Sequence, residues 1–322
     1  MQQAILQCRG WRWHGLRQFT NEMVRRHPPR FKPMIWYERL LQTHFPQGYR
    51  VHRIFYDGAH DCWFEGLTLI KVRRRIMRGW KLDAFSREEL EILIQAPKQL
   101  LKLSIFKVVR VLIVIFPLIV FPLGALLLIS PRVLLSRQFW TTEQRRKFWS
   151  IVLKERRHGH YQAVTEHLRR ISGKVGLYQD MLSEAPLTYE QLLQLEPIFD
   201  SPDMKLSALP FWYKYHLCRS HAVLPFPGWS ERLKRRAEVL LEIDRKLRAE
   251  PLGVYSYSQT ELHYFCFIRQ LEFEDLSSDQ MRRKLGEWLK FTEAAGPKPS
   301  RTFILHAPIL LQTPNQEYLL GY

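Results

Sequence analysis

The sequence predicts an all-α protein: a single transmembrane helix followed by a soluble multi-helix domain. The first observation is Val111–Ser130, twenty residues without a charged side chain between Arg110 and Arg132. The second is that apolar residues downstream recur at helical spacing between helix-capping sequences. The third is that no run of alternating β-branched residues is long enough to predict a sheet.

The composition is strongly basic, with a net charge of +18 over 322 residues. Residues 1–110 carry 21 basic and 9 acidic side chains. Such an excess attracts polyanions, either anionic lipid or nucleic acid, and charge alone does not separate the two. The four cysteines are far apart and form no CxxC pair, which argues against a disulfide framework and a zinc site. Cys218 and Cys266 fall at apolar positions of predicted helices, so we expect them to be buried.

Residues 1–35 have the composition of a mitochondrial targeting segment. Arg9, Arg12 and Arg17 precede the first acidic residue, Glu22, and bulky apolar residues lie between them. Basic, acid-poor segments of this kind are typical of transit peptides. A basic tail in another compartment is the alternative.

Residues 36–110 form a basic region that leads to the apolar stretch. Six basic residues lie between Lys71 and Lys81, with Ile76, Met77 and Trp80 among them. On a helix, this run fits an anionic membrane surface or a solvated face, and the sequence does not decide between them.

A juxtamembrane helix is predicted next. Ser86 and Glu89 have the spacing of a capping box, with serine at the N-cap and glutamate three residues later. Pro97 is expected to kink this helix or end its first turns.

The predicted transmembrane helix covers residues 109–130. Twenty helical residues measure roughly 30 Å, which matches the hydrocarbon core of a bilayer. Pro117 and Pro122 each remove a backbone N–H, so we expect a bent helix. The segment contains no ionisable side chain and therefore offers no side-chain ion site of its own.

Residues 131–322 are predicted to form one helical domain. We expect helices over about 142–157, 160–171, 207–222 and 229–249, and after the capping boxes at Thr188, Ser258 and Ser277. Phe148, Ile151 and Val152 are expected to face inward on the first helix. The apolar segment Phe303–Leu311 is too short to span a bilayer and is expected to pack on the domain or on the membrane.

No enzyme motif is present, so no catalytic residue, cofactor, metal or small-molecule substrate is predicted. Phosphate-binding glycine loops, zinc-protease motifs and nucleophile elbows are absent from the sequence. His158-Gly-His160 is interpreted as a solvated turn. His263 and Cys266, one helical turn apart, are interpreted as core residues.

Basic clusters recur on the predicted helices and suit contacts with phosphate groups. The candidate residues for ribosome or polyanion binding are Arg145, Arg146, Arg232, Lys234, Arg235, Arg236, Arg282 and Arg283. The alternative is that carboxylates of the same long helix, such as Glu231 and Glu238, neutralise these cations.

Several stretches of the chain resemble the LETM family of mitochondrial inner-membrane proteins, and in particular its short branch without EF-hands. They are His44-Phe-Pro46, Gly66-Leu67, the apolar segment with Pro117, Ser130-Pro131-Arg132, Arg137–Gln144 with Phe148, Cys266–Arg269 and Leu285–Leu289. The resemblance implies an inner-membrane anchor and a matrix-side helical domain of the ribosome-binding-like type, able to contact the mitochondrial ribosome.

Longer members of the family are linked to proton-coupled cation exchange, which is the alternative function for this chain. Where those members carry a carboxylate in the membrane helix, this sequence has Val120, and Gly124 stands where a second family proline is expected. Gln270 replaces the glycine that follows the arginine of a family signature. These departures favour a non-enzymatic scaffold over an exchanger. A structural role in membrane organisation or in the assembly of respiratory complexes is a third possibility.

Overall fold

A computed structural model describes residues 39–40, 42–95, 142–172, 187–225, 227–251 and 253–312. The regular elements in these ranges are all helical, which confirms the all-α prediction. Within the same ranges, no helix combines the length and the apolar character needed to cross a bilayer. Outside the described residues lie the predicted targeting segment 1–35, the predicted transmembrane helix 109–130 and Pro97, Pro117, Val120 and Pro122.

The helices are α1 (Pro46–Met77), α2 (Thr142–Arg156), α3 (Gln162–Ser172), α4 (Tyr189–Gln194), α5 (Glu196–Asp200), α6 (Phe211–Ser220), α7 (Trp229–Arg248), α8 (Gln259–Ile268), α9 (Ser278–Ala294) and α10 (Arg301–Leu310). Residues 87–95 are also helical. The chain divides into two compact units. One contains Met1–Trp80 and Gln95–Arg146, and the other contains Lys81–Ile94 and Lys147–Tyr322.

The four capping boxes read from the sequence are all formed. The Ser86 amide donates to the Glu89 carboxylate at 3.0 Å, and the Glu89 amide donates to the Ser86 hydroxyl at 3.2 Å. Reciprocal bonds of the same kind begin α4 at Thr188, α8 at Ser258 and α9 at Ser277. Each box satisfies two backbone N–H donors that a helix start would otherwise leave unpaired.

The predicted turn at His158–His160 is wrong. A π-helical turn, Arg157–Tyr161, joins α2 to α3 without a break. Tyr161 is fully buried at the end of this turn, and the Thr165 hydroxyl donates to its carbonyl at 3.1 Å. One extra residue per turn therefore carries the helix past Gly159 and places Tyr161 in the core.

The inward face predicted for α2 also needs correction. Ile151 is 37% exposed, whereas Trp149 and Leu153 are buried. The Trp149 ring stacks on Phe267 at a centroid distance of 5.5 Å. The large aromatic surface of Trp149 thus determines which side of the helix packs inward.

The core of the second unit forms around α7. This helix packs against α6, α9 and α10. Of the residues that helical spacing places on its inward face, Leu233, Ala237, Leu240 and Leu247 are buried as predicted, whereas Leu241 is half-buried. Cys218 and Cys266 are buried free thiols, also as predicted. Helix α10 is buried along almost its whole length, so the apolar segment near the C-terminus packs on the domain.

A buried carboxylate links three helices. Asp244 of α7 is fully buried, and its Oδ1 accepts a hydrogen bond from Arg269 Nε at 2.8 Å. Its Oδ2 accepts from Trp288 Nε1 of α9 at 2.9 Å. Arg269, which follows α8, also donates to the Phe265 carbonyl at 2.9 Å. The stretches Cys266–Arg269 and Leu285–Leu289, recognised separately in the sequence, therefore meet at Asp244.

We predict that Asp244→Ala lowers the free energy of unfolding by about 3–5 kcal/mol, because it leaves the Arg269 guanidinium buried without its counter-charge. Thermal unfolding followed by tryptophan fluorescence measures this loss. Glu238→Ala is the control. It removes a partly exposed ion pair with Arg301 at 3.1 Å and should change stability by less than about 1 kcal/mol. Equal effects of the two substitutions would contradict the account of the buried network.

Candidate functional site

The basic residues predicted as a polyanion site do not share one environment. Arg236 of α7 points into the domain, where its Nη2 donates to the Ile268 carbonyl at 2.9 Å. Burial lowers the pKa of Arg236 to about 10, and nearby Arg156 adds to the effect. The Arg232 side chain donates to the Pro227 carbonyl in the turn before α7. Both arginines therefore hold the fold together around α7.

Arg282 also makes contacts inside the domain. Its Nη1 donates to Asp279 at 2.7 Å, and its Nη2 donates to the Tyr257 carbonyl at 3.3 Å. These bonds tie the first turn of α9 to the residue that precedes the cap of α8. The geometry assigns Arg282 a positioning role between the two helices.

Three of the predicted cations face solvent on α7 and α9: Lys234, Arg235 and Arg283. Among the described residues, neither Arg235 nor Arg283 forms an ion pair, and the carboxylate nearest to Lys234 is Glu231 at 3.8 Å. An exposed guanidinium without a counter-charge can bind a phosphate group without first breaking an internal contact. These three side chains are the accessible part of the predicted site.

The carboxylates of α7 are largely engaged elsewhere. Glu242 pairs with Arg245 at 2.7 Å and with Lys246 at 3.3 Å, and Glu238 pairs with Arg301 of α10. The alternative that these acids neutralise the basic cluster therefore applies only to Lys234, through Glu231.

Arg145 and Arg146 lie in the first turns of α2 and belong to the other compact unit. Arg146 is exposed and Arg145 is half-buried. Arg145 already has an interaction within the chain, so Arg146 is the more accessible of the two.

Gln270, the residue that replaces the family glycine, follows Arg269 just after the end of α8. Its φ is +62°, in the left-handed region that favours glycine, and its side chain is fully buried. The Gln270 Oε1 accepts from the Tyr161 hydroxyl at 2.6 Å, and its amide contacts His221 Nδ1 at 2.5 Å. The hydrogen bonds of the side chain thus offset the backbone strain that glycine would avoid. The sequence signalled this position only as a departure from the family pattern.

The partners of His221 define its tautomer. His221 Nε2 lies 2.7 Å from the Leu305 carbonyl, which can only accept, so Nε2 carries the proton. Nδ1 then accepts from the Gln270 amide, which leaves Oε1 of Gln270 to accept from Tyr161. Burial lowers the pKa of His221 well below its ordinary value, and the charge of Arg236 lowers it further. His221 is therefore a neutral hydrogen-bonding link between α6 and α10.

His306 in the middle of α10 has a similar role. Its Nδ1 donates to the Thr302 carbonyl at 2.6 Å, and its Nε2 accepts from the Tyr213 hydroxyl of α6. Burial lowers the pKa of His306 to about 4. Sequence reasoning missed both histidines because each stands alone in an apolar segment.

A cleft of about 180 Å³ lies between α3 and α6, lined by residues that include His167, Arg170, Trp212 and His216. His216 Nδ1 lies 3.1 Å from His160 Nδ1, so the π-helical turn and α6 meet at this imidazole pair. In the described part of the chain, no group of three or more His, Cys, Asp or Glu side chains could hold a metal ion. Two imidazoles with no third ligand of these types form a packing contact.

Comparison with known proteins gives a consistent result. The family model described as LETM1-like, RBD matches residues 85–310. The chain is 24% identical over 291 residues to human LETM1 domain-containing protein 1, covering 86% of this chain and 79% of the relative. It is 25% identical over 289 residues to the Bos taurus protein of that name, covering 85% and 78%. No solved structure matches the chain.

We predict that acid destabilises the second unit through His306. The unfolded chain takes up a proton at this residue below its ordinary pKa of 6.5, whereas the folded chain does so only near 4. The free energy of unfolding should therefore fall by up to about 3 kcal/mol as the pH drops between these values. Thermal unfolding at several pH values measures the slope. His306→Gln should reduce it but not abolish it, because burial also lowers the pKa of His221. The same slope in both proteins would contradict the assignment.

We also predict that Gln270→Gly destabilises the protein although glycine suits a φ of +62°. Relief of backbone strain should contribute roughly 1 kcal/mol. The loss of the partners of Tyr161 and His221 should cost about 1–3 kcal/mol per unpaired group. Thermal unfolding of the variant gives the net sign. A rise in stability would show that the buried hydrogen bonds contribute less than the strain.

Proposed function

The chain belongs to the LETM1-like family, and we propose that it is a non-enzymatic protein of the mitochondrial inner membrane. Val111–Ser130 is the membrane anchor. Because Lys81–Ile94 and Lys147–Tyr322 form one compact unit, the segments before and after the anchor lie on the same side of the membrane, rather than on the two sides that the predicted single crossing requires. The helical domain lies in the matrix, binds the mitochondrial ribosome and supports mitochondrial organisation. The N-terminal segment with Arg9, Arg12 and Arg17 ahead of Glu22 supports the mitochondrial location.

The observation that carries the ribosome proposal is the exposed, unneutralised charge of Arg235 and Arg283 on a domain of this family. Ribosomal RNA presents a dense array of phosphates, and contacts to phosphate come chiefly from arginine and lysine. Arg232, Arg236 and Arg282 support the surface from within, because their hydrogen bonds position α7 and α9.

The proposal makes the salt dependence of ribosome binding a direct test. Each phosphate contact that a cation makes releases counterions, so affinity falls steeply as salt rises. The complete chain should be used, because Lys81–Ile94 belongs to the same compact unit as Lys147–Tyr322. Arg87 connects the two segments through an ion pair with Glu250 at 3.0 Å.

We predict that Arg235→Glu/Arg283→Glu weakens co-sedimentation of the detergent-solubilised chain with purified mitochondrial ribosomes. It should also lower the slope of log affinity against log salt by about one for each lost contact. Lys205→Glu/Lys298→Glu is the matched control, because it makes the same charge change at two other exposed positions. Equal losses in the two variants would show that binding depends on net charge alone. No binding of the unsubstituted chain at low salt would contradict the ribosome proposal.

A further inference from the structure

Helix α1 has an exposed apolar stripe. Trp63 is 70% exposed, Leu67 40%, Ile70 53% and Met77 81%. Residues separated by three, four or seven positions share one face of an α-helix, so these four side chains lie along one line. Contiguous apolar surface of this kind marks an interaction site more often than chance exposure.

The stripe is a second apolar face of α1, in addition to the one that is already packed. Leu69 and Val72 are 1% and 0% exposed and project from the opposite side of the helix. The packing requirement of an amphipathic helix is therefore met by that side. The stripe itself is exposed, and no described residue packs over it.

Cations border the stripe on both sides. Lys71 and Arg78 lie along one edge, Arg73 lies along the other, and Arg74 falls within the line itself. In the described part of the chain, none of these four forms an ion pair, and the sequence from 66 to 82 contains no acidic residue. An exposed apolar line bordered by unpaired cations is the pattern of a helix that lies in a bilayer interface.

We propose that α1 docks on an anionic lipid bilayer, with this stripe inserted at the boundary between headgroups and acyl chains. Trp63 suits that depth because indole has an apolar body and one polar N–H. The Arg74 stem can lie along the acyl chains while its guanidinium reaches the phosphates. Lys71, Arg73 and Arg78 contact anionic headgroups on either side.

An RNA surface explains the stripe less well than lipid does. Phosphate contacts need the cations alone, and bases can stack on Trp63, but Leu67, Ile70 and Met77 offer RNA little. A bilayer uses all of these side chains together. The inference goes beyond the proposed function, since ribosome contact is assigned to α7 and α9 and the anchor is assigned to Val111–Ser130.

The test places an environment-sensitive NBD fluorophore at Ile70→Cys in the complete chain. Cys8→Ser and Cys62→Ser remove other labelling sites, and Cys218 and Cys266 are buried. The labelled chain is reconstituted in vesicles of phosphatidylcholine alone or with about one lipid in four replaced by phosphatidylglycerol. Tyr255→Cys, at an exposed position in the other compact unit, carries the control fluorophore.

In anionic vesicles we expect the emission of the fluorophore at position 70 to shift to the blue and its quenching by iodide to fall by roughly twofold or more. The fluorophore at position 255 should stay aqueous in both compositions. Lys71→Gln, Arg74→Gln and Arg78→Gln should each weaken the interaction by roughly fivefold, because each basic residue near an anionic surface adds about that factor. Added salt should also reverse the blue shift of the fluorophore at position 70 in the chain without charge substitutions. This measurement remains valid even if a charge substitution unfolds α1.

Three results would overturn the inference. The fluorophore at position 70 could remain open to iodide in anionic vesicles, or be equally protected in neutral ones. Alternatively, a homopolymeric RNA added to the chain in detergent could protect the fluorophore at position 70 from iodide as fully as vesicles do. That result would assign this face of α1 to nucleic acid. Ribosome co-sedimentation of the same labelled preparation is scored separately, so failure of α1 docking and failure of ribosome binding are distinguished.

Discussion

Asp244 is a carboxylate buried between three helices, and the arrangement of the second unit depends on how its charge is satisfied. Desolvation of an unpaired carboxylate is costly, so both of its oxygens must have partners. Arg269 and Trp288 supply them, which brings the end of α8 and the middle of α9 against α7. Gln270 follows Arg269 directly, and its buried side chain connects this centre to Tyr161 and His221. The polar core thus defines the relative positions of the helices that carry the exposed cations.

Sequence reasoning predicted the features that depend on neighbouring residues. The four capping boxes, the bounds of α7 to within one residue and the buried cysteines follow from local pattern and hydrophobicity. Sequence reasoning failed where contact with a residue far along the chain determines which side chain is buried. The burial of Trp149 rather than Ile151 depends on Phe267, which is more than a hundred residues away. From the sequence, the charged side chain of Arg236 is expected to be exposed to solvent. In the fold its guanidinium instead points inward and donates to the carbonyl of Ile268, on a distant segment of the chain.

The cations of this basic chain fall into two groups, those with hydrogen bonds inside the domain and those that are accessible to a partner. On α7 and α9, arginines with internal hydrogen bonds alternate with cations that have no strong counter-charge, and only the latter are available to a partner. On α1 the cations occur instead with exposed aliphatic and aromatic side chains, which suits a different kind of partner. Net charge alone could not divide the chain in this way, because lipid and RNA attract the same charge. The apolar side chains beside the cations provide the distinction.

We expect the surface formed by α7 and α9 to face the ribosome, and lysine-specific cross-linking with mass spectrometry in intact mitochondria detects this contact. Lys234 of α7 and Lys290 of α9 are exposed and reactive positions on this surface. We expect cross-links from these lysines to proteins of the mitochondrial ribosome. Cross-links from Lys234 and Lys290 to respiratory-complex or membrane-shaping proteins alone, in samples where ribosomal proteins cross-link to one another, would contradict it.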